Sequence, residues 1–214
     1  MGIINQGING SFRGKAGSVI GSGWKKIDYI KGRPRRYKNK GNPSAAQSLQ
    51  QKKFTLLNQF FKPVSHILTI GFGSALQKST ARNAAFRYNY DHAFLFAGEE
   101  PSLNYSALKF SHGSLFPPGQ EKAVMLNGEI KITWNTKTYG LSGGLDDEVH
   151  IILYIPSIDQ FVLVRPTALR YSGEASFAME NFGEKGELIH LWMFLCDSQR
   201  KRVSPTVYLA VQHD

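Results

Sequence analysis

The chain has 214 residues, and its 42% hydrophobic and 12% aromatic content provides a core and excludes a wholly disordered protein. It contains no run of about 18 apolar residues, so no membrane-spanning helix is predicted. The formal net charge of +10 is uneven, because residues 1–92 have 16 Lys and Arg against 2 acids, whereas residues 93–214 have 10 against 14. This asymmetry predicts a polyanion or an oppositely charged protein surface as the partner of the first part.

Residues 1–32 contain eight glycines, with short β-prone pieces at 18–20 and 24–30. We predict a two-stranded ribbon in which the Gly-Ser-Gly at 21–23 forms the hairpin turn or a bulge. Two strands bury too little surface to be stable alone, so the ribbon must dock on the rest of its own chain, on a neighbouring copy or on a ligand. The apolar residues predicted to form this assembly arm are Ile3, Ile4, Ile8, Phe12, Val19, Ile20 and Trp24.

A strongly basic segment overlaps the end of this ribbon, with ten Lys and Arg and one acid, Asp28, between residues 13 and 40. Pro34 excludes a helix, so residues 32–41 are predicted to be an extended, exposed linker. Cations bind phosphates, and the interleaved Trp24, Tyr29 and Tyr37 can stack on bases, which predicts nucleic-acid binding. An acidic protein surface is the alternative partner. The predicted polyanion-binding residues are Lys25, Lys26, Lys31, Arg33, Arg35, Arg36, Lys38 and Lys40.

Apolar residues then recur at steps of three and four, which predicts an amphipathic helix. Asn42 is predicted to cap this helix, with Pro43 at its first position. Pro63 is expected to kink or restart it and Gly71 to end it. A second helix is predicted over residues 74–90.

Short strand patterns separated by turn residues follow Gly98. Such spacing predicts an antiparallel β-sandwich, and the absence of a cysteine pair favours a fibronectin-like over an immunoglobulin-like version. The fold is therefore predicted to be α+β, with a basic arm and helical module at residues 1–98 and a β-sandwich domain at residues 99–214. Trp134 is the expected core residue. The predicted strands are 105–111, 122–126, 129–135, 148–155, 161–165, 175–180, 188–196 and 206–212.

Catalytic motifs are absent from the sequence. The six histidines do not have metal-ligand spacing, and Cys196, in an apolar run, is typical of a buried residue. Residues 146–148 form an acidic cluster for which a solvated turn is preferred over a calcium site. We therefore expect no enzyme activity, no metal and no cofactor.

The N-terminus has no basic stretch followed by an apolar one, which predicts cytoplasmic synthesis without a signal peptide and leaves the final location open.

The N-terminal half resembles a family of Bacteroidota proteins of unknown function, many of them present in several copies per genome. The resemblance covers residues 10–92 and extends loosely beyond them, and its segments are FRGKAGSVIGSGWKKIDYIKGRPRR, NPSAAQSLQQKKF, FFKPVSHILTIGF and NAAFRYNY. Similar halves, with a GKxG segment, an RPRR-like turn and an NPSxAQ helix start, also occur in phage and prophage proteins. No catalytic residue is carried over, because this family has no established activity. The resemblance implies a signal-less protein of mobile-element or structural origin.

These observations favour a non-enzymatic structural protein that forms homo-oligomers through its N-terminal arm, as a filament, a shell or a virion-like component. The alternative is a nucleic-acid-binding protein that tolerates many sequences and uses the same arm. The two hypotheses are compatible if the assembly coats or packages nucleic acid.

Overall fold

The computed structural model describes residues 2–4, 10–24, 27–34, 42–73, 79–97, 100–138, 142–179 and 188–213. The described chain is α+β, with three α-helices and several antiparallel sheets, as the sequence predicts. It divides into two compact units, Met1–Pro43 and Ser44–Asp214. A domain boundary at residues 98 and 99 stays a prediction.

The first unit contains a four-stranded antiparallel sheet in the order β1-β2-β3-β4. Its strands are β1 (Gly2–Ile4), β2 (Phe12–Ala16), β3 (Val19–Trp24) and β4 (Ile27–Gly32). The sequence predicts two strands here, with a turn or bulge at 21–23. The structure instead places these residues inside β3. A Cβ at Gly21 would collide with the backbone carbonyl of Phe12, so the glycine here permits a close approach of two backbones and does not form a turn.

The second unit begins with three helices, α1 (Ala45–Phe61), α2 (Ser65–Gly71) and α3 (Ala81–Tyr90). Ser44 caps α1, not Asn42 as predicted, since its hydroxyl accepts from the Gln47 backbone while the Gln47 side chain accepts from the Ser44 N–H. The predicted restart near Pro63 is confirmed. Residues 79 and 80 precede α3, which begins later than predicted because the Thr80 side chain caps it.

The regular elements that follow α3 in the described chain are mainly strands. A hairpin is formed by β5 (Phe94–Ala97) and β6 (Glu100–Leu103). Two four-stranded sheets follow, in the orders β10-β9-β12-β13 and β11-β8-β7-β14, with one parallel pair between β14 and β7. The strands are β7 (Lys122–Leu126), β8 (Glu129–Thr133), β9 (Glu148–Ile155), β10 (Gln160–Leu169), β11 (Glu174–Ala178), β12 (His190–Cys196), β13 (Val207–Ala210) and β14 (Gln212–His213). The strand predicted at 105–111 is wrong, because its first residues form the 3-10 helix Tyr105–Ala107.

The central strands β9 and β12 contribute to two hydrophobic cores, one on each face of their sheet. Their even-numbered residues, including Tyr154, Trp192 and Phe194, pack with the three helices. Their odd-numbered residues pack with the sheet that contains β7 and β8. Both strands are therefore buried along almost their whole length, which explains their continuous apolar sequences.

The acidic cluster after Gly144 is only partly a solvated turn. Asp146 is exposed, but Asp147 is buried, and its carboxylate accepts from the buried Arg170 guanidinium at 3.0 Å. Trp134 is buried as predicted, and its indole Nε1 donates to the Arg170 carbonyl at 2.9 Å. This buried ion pair thus links the turn at residues 144–147 to the 3-10 helix Arg170–Ser172, beside the core that includes Trp134.

A fragment that starts at Leu103 is expected to lose cooperative folding, whereas a fragment that starts at Ser44 retains it. Without the helices, Ile152, Tyr154, Trp192 and Phe194 would be exposed on one face of the sheet. Each such side chain is worth about 1.5–3 kcal/mol, so four of them approach the usual total of about 5–15 kcal/mol. Thermal unfolding followed by circular dichroism distinguishes the two fragments. A sharp transition in the shorter fragment would instead support the boundary at residues 98 and 99.

Candidate assembly and polyanion-binding surface

One face of the β3–β4 hairpin combines aromatic, aliphatic and cationic side chains. Directly paired residues of antiparallel strands project to the same face of the sheet. Three cross-strand pairs form this face, and they are Trp24 with Ile27, Ser22 with Tyr29, and Ile20 with Lys31. Lys15 of β2 also pairs with Ile20, so it joins the same face. We call these seven residues the aromatic–cationic face.

The large side chains of the aromatic–cationic face are open to solvent. Trp24 is 51% exposed, Ile27 is 65% exposed and Tyr29 is 44% exposed. Lys15 and Lys31 are exposed as well. Aromatic rings that stand free beside cations are the groups with which proteins bind single-stranded nucleic acid.

The opposite face of the hairpin is partly covered by its own chain. Gly14 has φ 104, a conformation that favours glycine, and the chain at Phe12 lies against Gly21. Arg13 Nη2 lies 3.9 Å from Asp28 Oδ1, and both side chains are well exposed, so this ion pair contributes less than about 1 kcal/mol. This face therefore offers a smaller free surface than the aromatic–cationic face.

Strand β4 lies at the edge of the sheet, and its outer side pairs with no strand of the described chain. All six of its residues are exposed, including Ile27, Tyr29 and Ile30. An edge strand has unpaired N–H and C=O groups, and apolar side chains at such an edge favour pairing with another chain. Lys31 and Asp28 are its charged residues.

The predicted assembly residues fall on three strands of the sheet. Ile3 and Ile4 belong to β1, Phe12 to β2, and the remaining described ones to β3, which contains Val19, Ile20 and Trp24. Of these, the sheet brings Ile20 and Trp24 together on the aromatic–cationic face. Ile8 lies outside the described residues.

Two of the predicted polyanion-binding cations lie in the described part. Lys31 belongs to the aromatic–cationic face, and Arg33 follows β4, where its N–H donates to the Ser18 carbonyl at 2.8 Å. The others lie outside the described residues, and they are Lys25, Lys26, Arg35, Arg36, Lys38 and Lys40.

Sequence reasoning missed Lys15 as a member of the aromatic–cationic face and Ile30 as an exposed apolar residue of the edge strand β4. The strand register puts Lys15 beside Ile20, and no local pattern predicts that register. Ile30 alternates with Tyr29 in a β-prone run, so the period of two already indicated that it faces the other side.

Positive charge is concentrated in the unit that contains this surface. Residues 1–43 have ten Lys and Arg against one acid, a net charge of +9. Residues 44–214 have 16 against 15, a net charge of +1. Nearly all the excess charge of the chain thus belongs to the unit with the exposed sheet edge.

A family model described as "Family of unknown function (DUF6266)" matches residues 11–210. The chain belongs to this family. The matched region begins before β2 and extends through β13, so the DUF6266 sequence includes most of the N-terminal sheet and both cores of the second unit. No curated protein matches the chain.

Two kinds of feature are absent from the described residues of this DUF6266 chain. No helix among them is long and apolar enough to cross a membrane. Within the same residues, no three His, Cys, Asp or Glu side chains are grouped so that they could hold a metal ion.

Proposed function

We propose that this DUF6266 protein is a non-enzymatic structural protein that self-assembles through its N-terminal sheet into a filament, a shell or a virion-like component. The observation that carries the proposal is the exposure of β4, an edge strand with three large apolar side chains in six residues. Monomeric proteins protect such edges with charge, proline or a covering element. Here the edge has one lysine and one aspartate.

Strand addition from a second copy is the contact that this edge favours. Main-chain hydrogen bonds form whatever the side chains are, and Ile27, Tyr29 and Ile30 then pack beside the side chains of the added strand. If the contact joins different surfaces of the two copies, it repeats and yields a closed ring or an open filament. The exposed apolar residues of β4, which are unfavourable in water in an isolated chain, would thus drive the assembly.

Nucleic-acid binding is the second candidate, and the aromatic–cationic face together with the +9 charge of residues 1–43 supports it. Trp24 and Tyr29 would stack on bases, while Lys15 and Lys31 would contact phosphates. Stacking on any base is favourable, so such binding would tolerate many sequences.

The two candidates reinforce each other through charge. Units that each have a net charge of +9 repel one another when an edge contact brings them together. A polyanion that neutralises them removes this repulsion. We therefore expect the assembly to be promoted by nucleic acid and to be reduced by nuclease treatment.

Full-length protein is expected to form large particles at micromolar concentration, whereas a fragment of residues 44–214 remains a monomer. Static light scattering measures both, with and without nuclease. Replacing both Ile27 and Ile30 with Lys should abolish the particles, because charge on an edge strand opposes strand addition.

Replacing both Leu145 and Leu188 with Lys provides the matched control, since it adds the same charge at residues of the second unit that are 57% and 65% exposed, while Ile27 and Ile30 are each 65% exposed in the first. The control should assemble like the unmodified protein. If the β4 variant and the control assemble to the same extent, the edge of the sheet is not the contact between copies.

The fold of residues 99–214 is part of the proposal. We propose a fibronectin-like β-sandwich, supported by the two four-stranded sheets that contribute to one hydrophobic core. The resemblance of the N-terminal half to phage and prophage proteins supports a virion-like or other mobile-element role.

A further inference from the structure

A small cavity opens in the second unit where α1, the 3-10 helix Tyr105–Ala107 and the turn between β9 and β10 meet. Its volume is about 190 Å³. Four aromatic side chains line it, and the centroids of contacting rings are 4.8–5.8 Å apart. They are Phe60, Tyr105, Tyr154 and Phe161.

The cavity has one charged lining residue, Asp159. Its Oδ1 accepts a hydrogen bond from the Tyr154 hydroxyl at 2.8 Å. Burial, together with this hydrogen bond, raises the pKa of Tyr154, so the phenol stays neutral and adds no second negative charge. None of the ion pairs among the described residues includes Asp159. Asp159 is itself an exposed residue, so its carboxylate supplies a solvent-accessible negative charge that no described cation pairs with.

The backbone holds Asp159 in place. Its φ of 49° and ψ of 45° belong to the left-handed region, which Asp and Asn adopt more readily than most residues. This conformation ends the short helix Pro156–Ile158 and places the carboxylate within reach of Tyr154.

We propose that this cavity binds a small organic cation through an alkylammonium group. Aromatic faces attract such cations, and a neighbouring carboxylate balances their charge. The volume is below the roughly 300–1,000 Å³ of pockets for drug-sized ligands, so it suits a head group and not a nucleotide. The negative charge of Asp159 also disfavours phosphates, which separates this site from the aromatic–cationic face. The inference does not depend on assembly or on nucleic-acid binding.

Calorimetric titration of the full-length protein with choline tests the proposal. We expect saturable binding of choline and much weaker binding of its neutral isostere, in which a tert-butyl group replaces the trimethylammonium group. Asp159→Asn should weaken choline binding about twofold to fivefold, because it removes an exposed charge and keeps the shape and the left-handed conformation. Phe161→Leu should also weaken it, because one aromatic face is lost.

Asp146→Asn is the control, since Asp146 is also exposed and belongs to the same unit but does not line the cavity. It should leave choline binding unchanged. A glycine-flanked peptide with one trimethyl-lysine, titrated in parallel, distinguishes a protein-borne cation from a free one by its higher affinity. Equal binding of choline and the neutral isostere, unchanged binding in Asp159→Asn, or no saturation with either cation would overturn the proposal.

Discussion

Replacing Arg170 with Met is expected to lower the free energy of unfolding by about 3–5 kcal/mol. Arg170 is fully buried, and its guanidinium donates to the Asp147 carboxylate and, at 2.6 Å, to the Phe116 carbonyl. Its removal leaves the carboxylate of Asp147 without its charged partner in a site that is only 2% exposed. An uncompensated buried charge is far more costly than a lost surface contact.

Urea unfolding measures this loss as a lower midpoint with an unchanged slope. Arg200→Met is the control, because Arg200 forms an ion pair with Glu148 at 3.2 Å while remaining 57% exposed, and we expect less than about 1 kcal/mol from it. Replacing Arg170 and Asp147 together with apolar residues should restore part of the stability. Similar losses for Arg170→Met and Arg200→Met would contradict the structural role of the buried pair.

Affinity for single-stranded DNA is expected to fall roughly 300-fold to 16,000-fold between 50 and 200 mM salt if the basic unit makes about 6–10 phosphate contacts. Fluorescence anisotropy of a labelled oligonucleotide provides the salt slope. Replacing Arg33, Arg35 and Arg36 with Ala should reduce the magnitude of that slope by about 2, because each phosphate contact on a single strand contributes about 0.7.

The aromatic–cationic face predicts a different response for its rings. Trp24→Ala and Tyr29→Ala should each weaken binding by about 1–3 kcal/mol without changing the salt slope, because stacking releases no counterions. The matched control replaces Arg200, Lys201 and Arg202 with Ala, which removes the same charge from the second unit. If that triple variant changes the slope as much as the N-terminal one, the binding is a property of net charge and not of the first unit.

The sequence was most informative where a strand or helix is bounded by strong local signals. Strand β9 agrees with its prediction because its apolar run lies between an acidic turn and Pro156. The cap of α1 was missed although the signal was present, since Ser44 followed three residues later by Gln47 is a capping box. Asn42 and Ser44 can both cap a helix, and Ser44 caps α1 because it and Gln47 form reciprocal hydrogen bonds.

Other features depend on contacts between distant segments, which local patterns do not encode. Gly21 is compatible both with a turn and with a close backbone approach, and only the position of Phe12 decides between them. Arg170 and Asp147 are 23 residues apart, and nothing near Arg170 predicts a buried guanidinium. The aromatic–cationic face likewise required the register of β2, β3 and β4 before Lys15 could be placed on it.

The core shared by the helices and β12 has a consequence for synthesis on the ribosome. Helix α3 ends at Tyr90, but the side chains of Trp192 and Phe194 that cover the helices emerge about 100 residues later. At a translation rate of about 5–20 residues per second, the apolar side of α1 and α2 remains uncovered for about 5–20 s before β12 has been synthesised. During that interval nascent chains on neighbouring ribosomes can associate through these helices. A chaperone that binds exposed apolar helices would therefore raise the yield of folded protein most when it acts before β12 is made.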